Sequence, residues 1–155
     1  QCRLKNIRAL RRYNSLLTLT DQYYNLPPSW NIIVAEYLRE NAVDFFEEAV
    51  ENLRKGKYNL AMFNLEQALQ LSLKYTLYQL TGGFEKTHDI KLLSQVVDLS
   101  KNKELEKIMR EEYVVLDVLE QSYIVSRYLP YKYDKNTVEK SLNVVRGILH
   151  VLGII

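Results

Sequence analysis

YNLAMFNLEQALQLSLKYTLYQLTGGFEKTHDIKLL, residues 58–93, is the stretch whose reading decides the fold. Met62, Leu65, Leu69, Leu73 and Leu80 recur at helical spacing, and Ala61, Ala68, Ser72 and Tyr75 form a second stripe beside them. A helix that is apolar around most of its circumference belongs at the buried centre of an all-α domain. The same helix carries Glu66, Gln67, Gln70 and Lys74, a polar ladder at near-helical spacing, before it stops at Gly82-Gly83 and leads into Thr87-His88. Polar groups taken out of water need partners. That requirement makes the ladder a first place to look for a ligand.

The rest of the chain repeats the helical pattern. The five glycines and three prolines fall between periodic segments, which favours long helices with short connections. A first helix is expected over residues 3–19, broken by Asn25-Leu26-Pro27-Pro28-Ser29 because the prolines disfavour helix before them. A second runs from about Trp30 to Lys55 on the stripe Ala35, Leu38, Ala42, Phe45, Ala49 and Leu53, with Gly56 as its left-handed cap. The very short turn at Gly56 predicts antiparallel pairing with the central helix, Tyr58 to Leu80.

Thr87 is placed to cap a helix from His88 to Leu99, with Asp89 in its first turn. A further helix is predicted over Lys103–Arg127, turning Leu105, Ile108, Met109, Leu116, Leu119 and Tyr123 inward. After Pro130 and the aromatic loop Tyr128, Tyr131 and Tyr133, Asp134 caps a last helix to the C-terminus that buries Val138, Leu142, Val145, Leu149 and Leu152. With no strand-like alternation, the fold class is all-α: an up-and-down antiparallel bundle of about five helices with an extra N-terminal helix. Residues 1–29 form a basic helical extension and linker, and residues 30–155 the bundle.

Composition bounds the function. With 47% apolar and 26% charged residues the chain reads as globular, and no run approaches the roughly 18 apolar residues of a membrane span. The N-terminal stretch lacks the apolar core of a signal peptide, so the cytoplasm is the expected compartment. Cys2, the single cysteine, cannot pair internally, and no Cys/His spacing suits a metal. A net charge of +2 does not by itself argue for nucleic acid. Arg3, Lys5, Arg8, Arg11 and Arg12 concentrate at the start of the chain, where a solvated helix face is the commoner meaning.

The wording of the central segment also resembles a known family. Ala61, Phe63, Glu66-Gln67-Ala68, Leu73-Lys74, Thr81-Gly82 and Thr87-His88 look like the signature of HEPN domains, nucleotide-binding helical domains of prokaryotes and eukaryotes. Arg54-Lys55-Gly56-Lys57-Tyr58 and Ser126-Arg127-Tyr128 extend the resemblance, which runs from about Asn31 to the C-terminus. One fold hosts several functions, so activity has to be argued from sites.

Three sites suggest themselves. Many HEPN proteins are metal-independent ribonucleases with an Arg followed, after four to six residues, by a His. By that resemblance Arg146 would hold a phosphate and His150 would move the 2′-hydroxyl proton. Here Arg146-Gly147-Ile148-Leu149-His150 leaves only three residues between them, and Gly147 replaces the usual polar neighbour. The pair still shares a helical face with Glu139 and Asn143. An ordinary polar helix edge would look the same.

The second site is Lys74 with Glu66, Gln70, Thr87 and His88. Lys74 suits a phosphate as a point charge, and His88 opens a helix whose free N–H groups favour anions. The bland reading is a buried network plus a cap, and the glycines at 82 and 83 form no phosphate-binding motif. The third groups Tyr123, Arg127, Tyr128, Tyr131 and Tyr133 with Lys132. Rings beside cations stack bases and hold phosphates, but in a small bundle a protein interface or a self-packed loop is favoured. Arg127 joins the ligand set.

The primary expectation is a binding module without a cofactor or metal of its own. It would be a homodimer that holds a nucleotide or RNA, and it resembles the partners of minimal nucleotidyltransferases in toxin–antitoxin-like systems. A ribonuclease using Arg146 and His150 is the enzymatic alternative, and a structural interaction domain the third.

Overall fold

The structure is a computed structural model that describes residues 28–83 and 91–155. The expected N-terminal helix and the Thr87–His88 cap lie outside these residues. Among the described residues the chain is entirely helical: α1 (Pro28–Arg54), α2 (Tyr58–Thr81), α3 (Lys91–Ser100), α4 (Lys103–Glu111), α5 (Tyr113–Tyr128) and α6 (Lys135–Val151). The chain divides into two compact units between Val34 and Ala35. In the first, the described residues begin α1. The second, residues 35–155, is a helical bundle.

α2 is the hub of this bundle and packs against α3, α5 and α6. Its faces differ in what they permit. Ala61, Ala68 and Ser72 are fully buried or nearly so and let neighbouring backbones come close, while Met62, Leu65, Leu73 and Leu77 fill the space between helices. Each such large side chain contributes roughly 1.5–3 kcal/mol through burial. Where α5 passes α2, the Ser122 hydroxyl lies 3.4 Å from the Met62 carbonyl oxygen, within reach of a donated bond. Ala42, Phe46 and Ala49 from α1 and Val138, Leu142, Val145 and Leu149 from α6 join the same core.

The caps follow the local chemistry. Gly56 adopts φ +73°, so the amide of Gly56 donates to Leu53 O and that of Lys57 to Asn52 O, closing α1 and reversing the chain. Gly153 repeats the motif at φ +72° after α6, with Ile154 N–H donating to Leu149 O and the Ile154 side chain buried. The last helix therefore ends at Val151 rather than at the terminus. Asp134 accepts from Thr137 N–H at 2.7 Å and caps α6, as its position predicts. Asn102, not singled out in the sequence, caps α4 by accepting from Glu104 and Leu105 amides at 3.0 and 3.1 Å.

Three further expectations need correction. The single helix over Lys103–Arg127 is two, α4 and α5, broken at Glu112 (φ −111°, ψ 22°). Glu112 stands in the inward register between Ile108 and Leu116, where a carboxylate is costly to bury. The following Tyr113-Val114-Val115 are poor helix formers, so the chain bends there. On α1 it is Phe46 rather than Phe45 that is buried. Both fit the spacing of Ala42 and Ala49, and periodicity cannot choose between them. On α2 Leu77 is 1% exposed whereas Leu80 is 44% exposed, because the stripe from Leu73 continues through Leu77.

Candidate functional site

The polar ladder of α2 is buried. Glu66 is 4% exposed, Gln70 8% and Lys74 7%, each directly following a buried leucine (Leu65, Leu69 and Leu73). Gln67 Nε2 donates to Glu66 Oε2 at 2.7 Å, and the Gln70 amide donates to the same carboxylate. Burial nevertheless dominates: it raises the Glu66 carboxyl to about 7, opposed by these two amides and by the Arg127 guanidinium, and aided by the Glu120 carboxylate. Lys74 is held below the ordinary lysine range, also by burial, with the Glu66 carboxylate pulling the other way.

Beside the ladder lies a cavity of about 20 Å³, lined by Glu66, Gln70 and Glu120 at one side and by Leu69, Leu93 and Leu116 among its apolar walls. That is room for one water, far below the roughly 300 Å³ at which small-molecule pockets begin. Gln70 Oε1 has no hydrogen-bond partner among the described residues. Nothing of nucleotide size fits the cavity itself, which leaves its rim.

The rim carries a cation on an aromatic platform. Arg127, in the last turn of α5, lies with its guanidinium carbon 4.0 Å from the Tyr123 ring centroid, 4.8 Å from Tyr128 and 5.4 Å from Phe63. Its Nε donates to Tyr123 O at 2.7 Å, which fixes the side chain along the helix end. The Tyr123 and Phe63 rings stack at 6.5 Å. Tyr128 is 68% exposed, so one face of the cluster is open to solvent. Phe63 and Glu66 are one turn apart on α2, which puts the platform next to the buried carboxylate.

The other aromatic residues of the loop divide. Tyr133 is buried and meets exposed Tyr131 edge-on at 5.0 Å. Asn59, at the start of α2, holds this loop: its Nδ2 donates to Tyr131 O at 2.6 Å and its Oδ1 accepts from Tyr133 N–H at 2.9 Å. Sequence reasoning missed Asn59. No local pattern marks it, since its partners lie more than seventy residues away.

Arg146 and His150 stand apart from the ladder, exposed on α6. Arg146 Nη1 donates to Asn143 Oδ1 at 3.2 Å, and its guanidinium carbon lies 5.7 Å from the Phe46 ring of α1. Glu139, two turns before Arg146, pairs with Lys135 at 3.7 Å. The structure thus keeps the polar stripe of α6 at the surface and sets it on a different helix from Glu66, Gln70 and Lys74. Among the described residues no cluster of three His, Cys, Asp or Glu is arranged to hold a metal, and no helix is long and apolar enough to cross a membrane.

Comparison with curated proteins finds no match. The family model described as the HEPN domain matches residues 35–155, the whole of the second compact unit. On that match, over most of its length, the chain belongs to the HEPN family.

Proposed function

We propose that this protein is a nucleotide- or polynucleotide-binding module that works beside a minimal nucleotidyltransferase in a toxin–antitoxin-like pair, as a cytoplasmic homodimer. The observation that carries the binding reading is the Arg127 platform. A guanidinium laid against three rings, with Tyr128 open to solvent, offers a phosphate contact and a stacking surface side by side. In the proposed ligand set Arg127 touches the ligand. Glu66 and Gln70 stand behind it, Lys74 lies further along the same helix, and Thr87 and His88, outside the described residues, belong to the set by their place in the sequence. Calorimetry with ATP and with a short oligoadenylate tests the reading. Arg127→Ala is expected to weaken binding about tenfold, the size of one lost charge-assisted contact. Unchanged affinity in that variant removes Arg127 from the site. Co-expression with the product of the adjacent gene tests the nucleotidyltransferase partner, which should co-purify as a stable complex.

A second reading rests on a separate observation, the exposure of Arg146 and His150 one turn apart on α6, with Asn143 holding Arg146. In this reading Arg146 binds the scissile phosphate and His150 transfers the proton. Single-stranded RNA should then be cleaved in the presence of EDTA, and His150→Ala should abolish cleavage without unfolding the protein. Intact RNA after prolonged incubation with the wild type ends this alternative.

A further inference from the structure

Phe63, Glu66, Gln67 and Gln70 occupy successive turns of one face of α2, and Glu120, Tyr123 and Arg127 occupy the facing strip of α5. The Phe63 ring lies beneath the Arg127 guanidinium, so the buried carboxylate of Glu66 sits one turn from an exposed cation. On α5 the carboxylate faces two opposed charges, Glu120 and Arg127; on its own helix the nearest charge is Lys74, two turns on. The third element beside the cavity, α3, presents the apolar Leu93.

The site accommodates either protonation state of the carboxyl. Ionised, Glu66 accepts from the Gln67 and Gln70 amides. Protonated, it becomes a donor, and the acceptor it needs is at hand. Gln70 Oε1, on a side chain more than nine-tenths buried, has no partner among the described residues and borders a cavity the size of one water. Rotation of the Gln70 amide, or a water in that cavity, completes the bond.

We propose that anion binding at Arg127 is linked to proton uptake by Glu66, so that this face of the protein holds its ligand more tightly in mildly acidic than in mildly alkaline solution. The inference rests on Arg127 as the ligand contact and adds its regulation. An anion on the guanidinium cancels the positive field that favours the ionised carboxyl, leaving burial and Glu120 to draw a proton from solvent. Because burial already raises this carboxyl to about 7, the transfer falls in the neutral range. Linkage is reciprocal: if the ligand favours the proton, the proton favours the ligand by the same factor.

The test uses an oligoadenylate without terminal phosphate, whose own groups do not titrate between pH 6 and 8. Wild-type affinity should rise roughly threefold from pH 8 to pH 6 beyond any rise in Glu66→Gln, the equivalent of about half a pK unit. The two proteins differ only at residue 66, so the difference between them isolates Glu66. In parallel, ¹³C NMR should show the Glu66 carboxyl titrating at higher pH in Arg127→Ala than in the wild type, with no ligand present. An identical pH dependence in Glu66→Gln overturns the linkage, as does a Glu66 titration that Arg127→Ala leaves unmoved. If the oligoadenylate fails to bind while Arg127→Ala still shifts Glu66, the ligand reading of Arg127 has failed, and the regulatory role falls with it.

Discussion

The ladder Glu66, Gln70 and Lys74 on α2 and the stripe Glu139, Asn143, Arg146 and His150 on α6 have the same form in the sequence: polar residues one turn apart beside an apolar seam. The bundle gives them opposite surroundings. α2 is packed on several sides, so its ladder is buried and its protonation follows the neighbours. α6 keeps an open edge, so Arg146 and His150 remain in water, with Arg146 held by Asn143. The difference teaches that a polar ladder's role depends on how many helices surround its own. Buried, it tunes charge and stability; exposed, it is free to meet a ligand.

The contrast can be broken first by pH. Glu66 binds its proton more tightly in the folded than in the unfolded protein. Between about pH 4.5 and 7 unfolding therefore releases a proton, and stability falls as pH rises through that window. Urea denaturation should find the protein less stable at pH 8 than at pH 5 by up to ~3 kcal/mol, a loss that Glu66→Gln abolishes. Lys74, held below its ordinary range, acts in the opposite sense at higher pH, and the Gln variant separates the two. A stability profile that is flat over this range in the wild type would show the ladder to be hydrated like the α6 stripe.

An intermediate effect is expected where the two regions are joined. Asn59 fastens the connection between α5 and α6 to the start of α2, and Asn59→Ala should cost about 1–2 kcal/mol for its two hydrogen bonds, read as a lowered Tm. The smallest effect belongs to the exposed stripe. Arg146→Ala and His150→Ala should each change stability by no more than about 0.5 kcal/mol. A larger loss in either would mean that the stripe is structural after all.

Much of this architecture is legible in the sequence. The span from Trp30 to Lys55 and that from Tyr58 to Leu80 differ from α1 and α2 by a residue or two, because Gly56 and Gly82 mark their ends chemically. What escapes is non-local or degenerate. The bend at Glu112 depends on where a carboxylate falls in an otherwise continuous stripe. Phe45 and Phe46 satisfy the same spacing. The depth of Lys74 depends on helices far away in sequence, and a lysine on a central helix carries no local sign of burial. Gly153 followed by Ile154 is a readable stop signal that periodicity alone passes over. Of the ligand set, Glu66, Gln70 and Arg127 lie close together, Lys74 follows on the same helix, and Thr87 and His88 fall outside the described residues; the pair Arg146 and His150, the ribonuclease alternative, lies on another helix.

The Asn59 clamp has a consequence for the order in which the molecule assembles. Its two hydrogen bonds span 72 and 74 residues, whereas the α1–α2 reversal is closed by contacts within six. A long loop must lose its freedom before such bonds form, so they belong to the late, native-side part of the folding reaction. Loss of the clamp should then accelerate unfolding and leave the refolding rate nearly unchanged. A single side-chain amide would thus govern how long the folded state persists, and have little influence on how quickly it is reached.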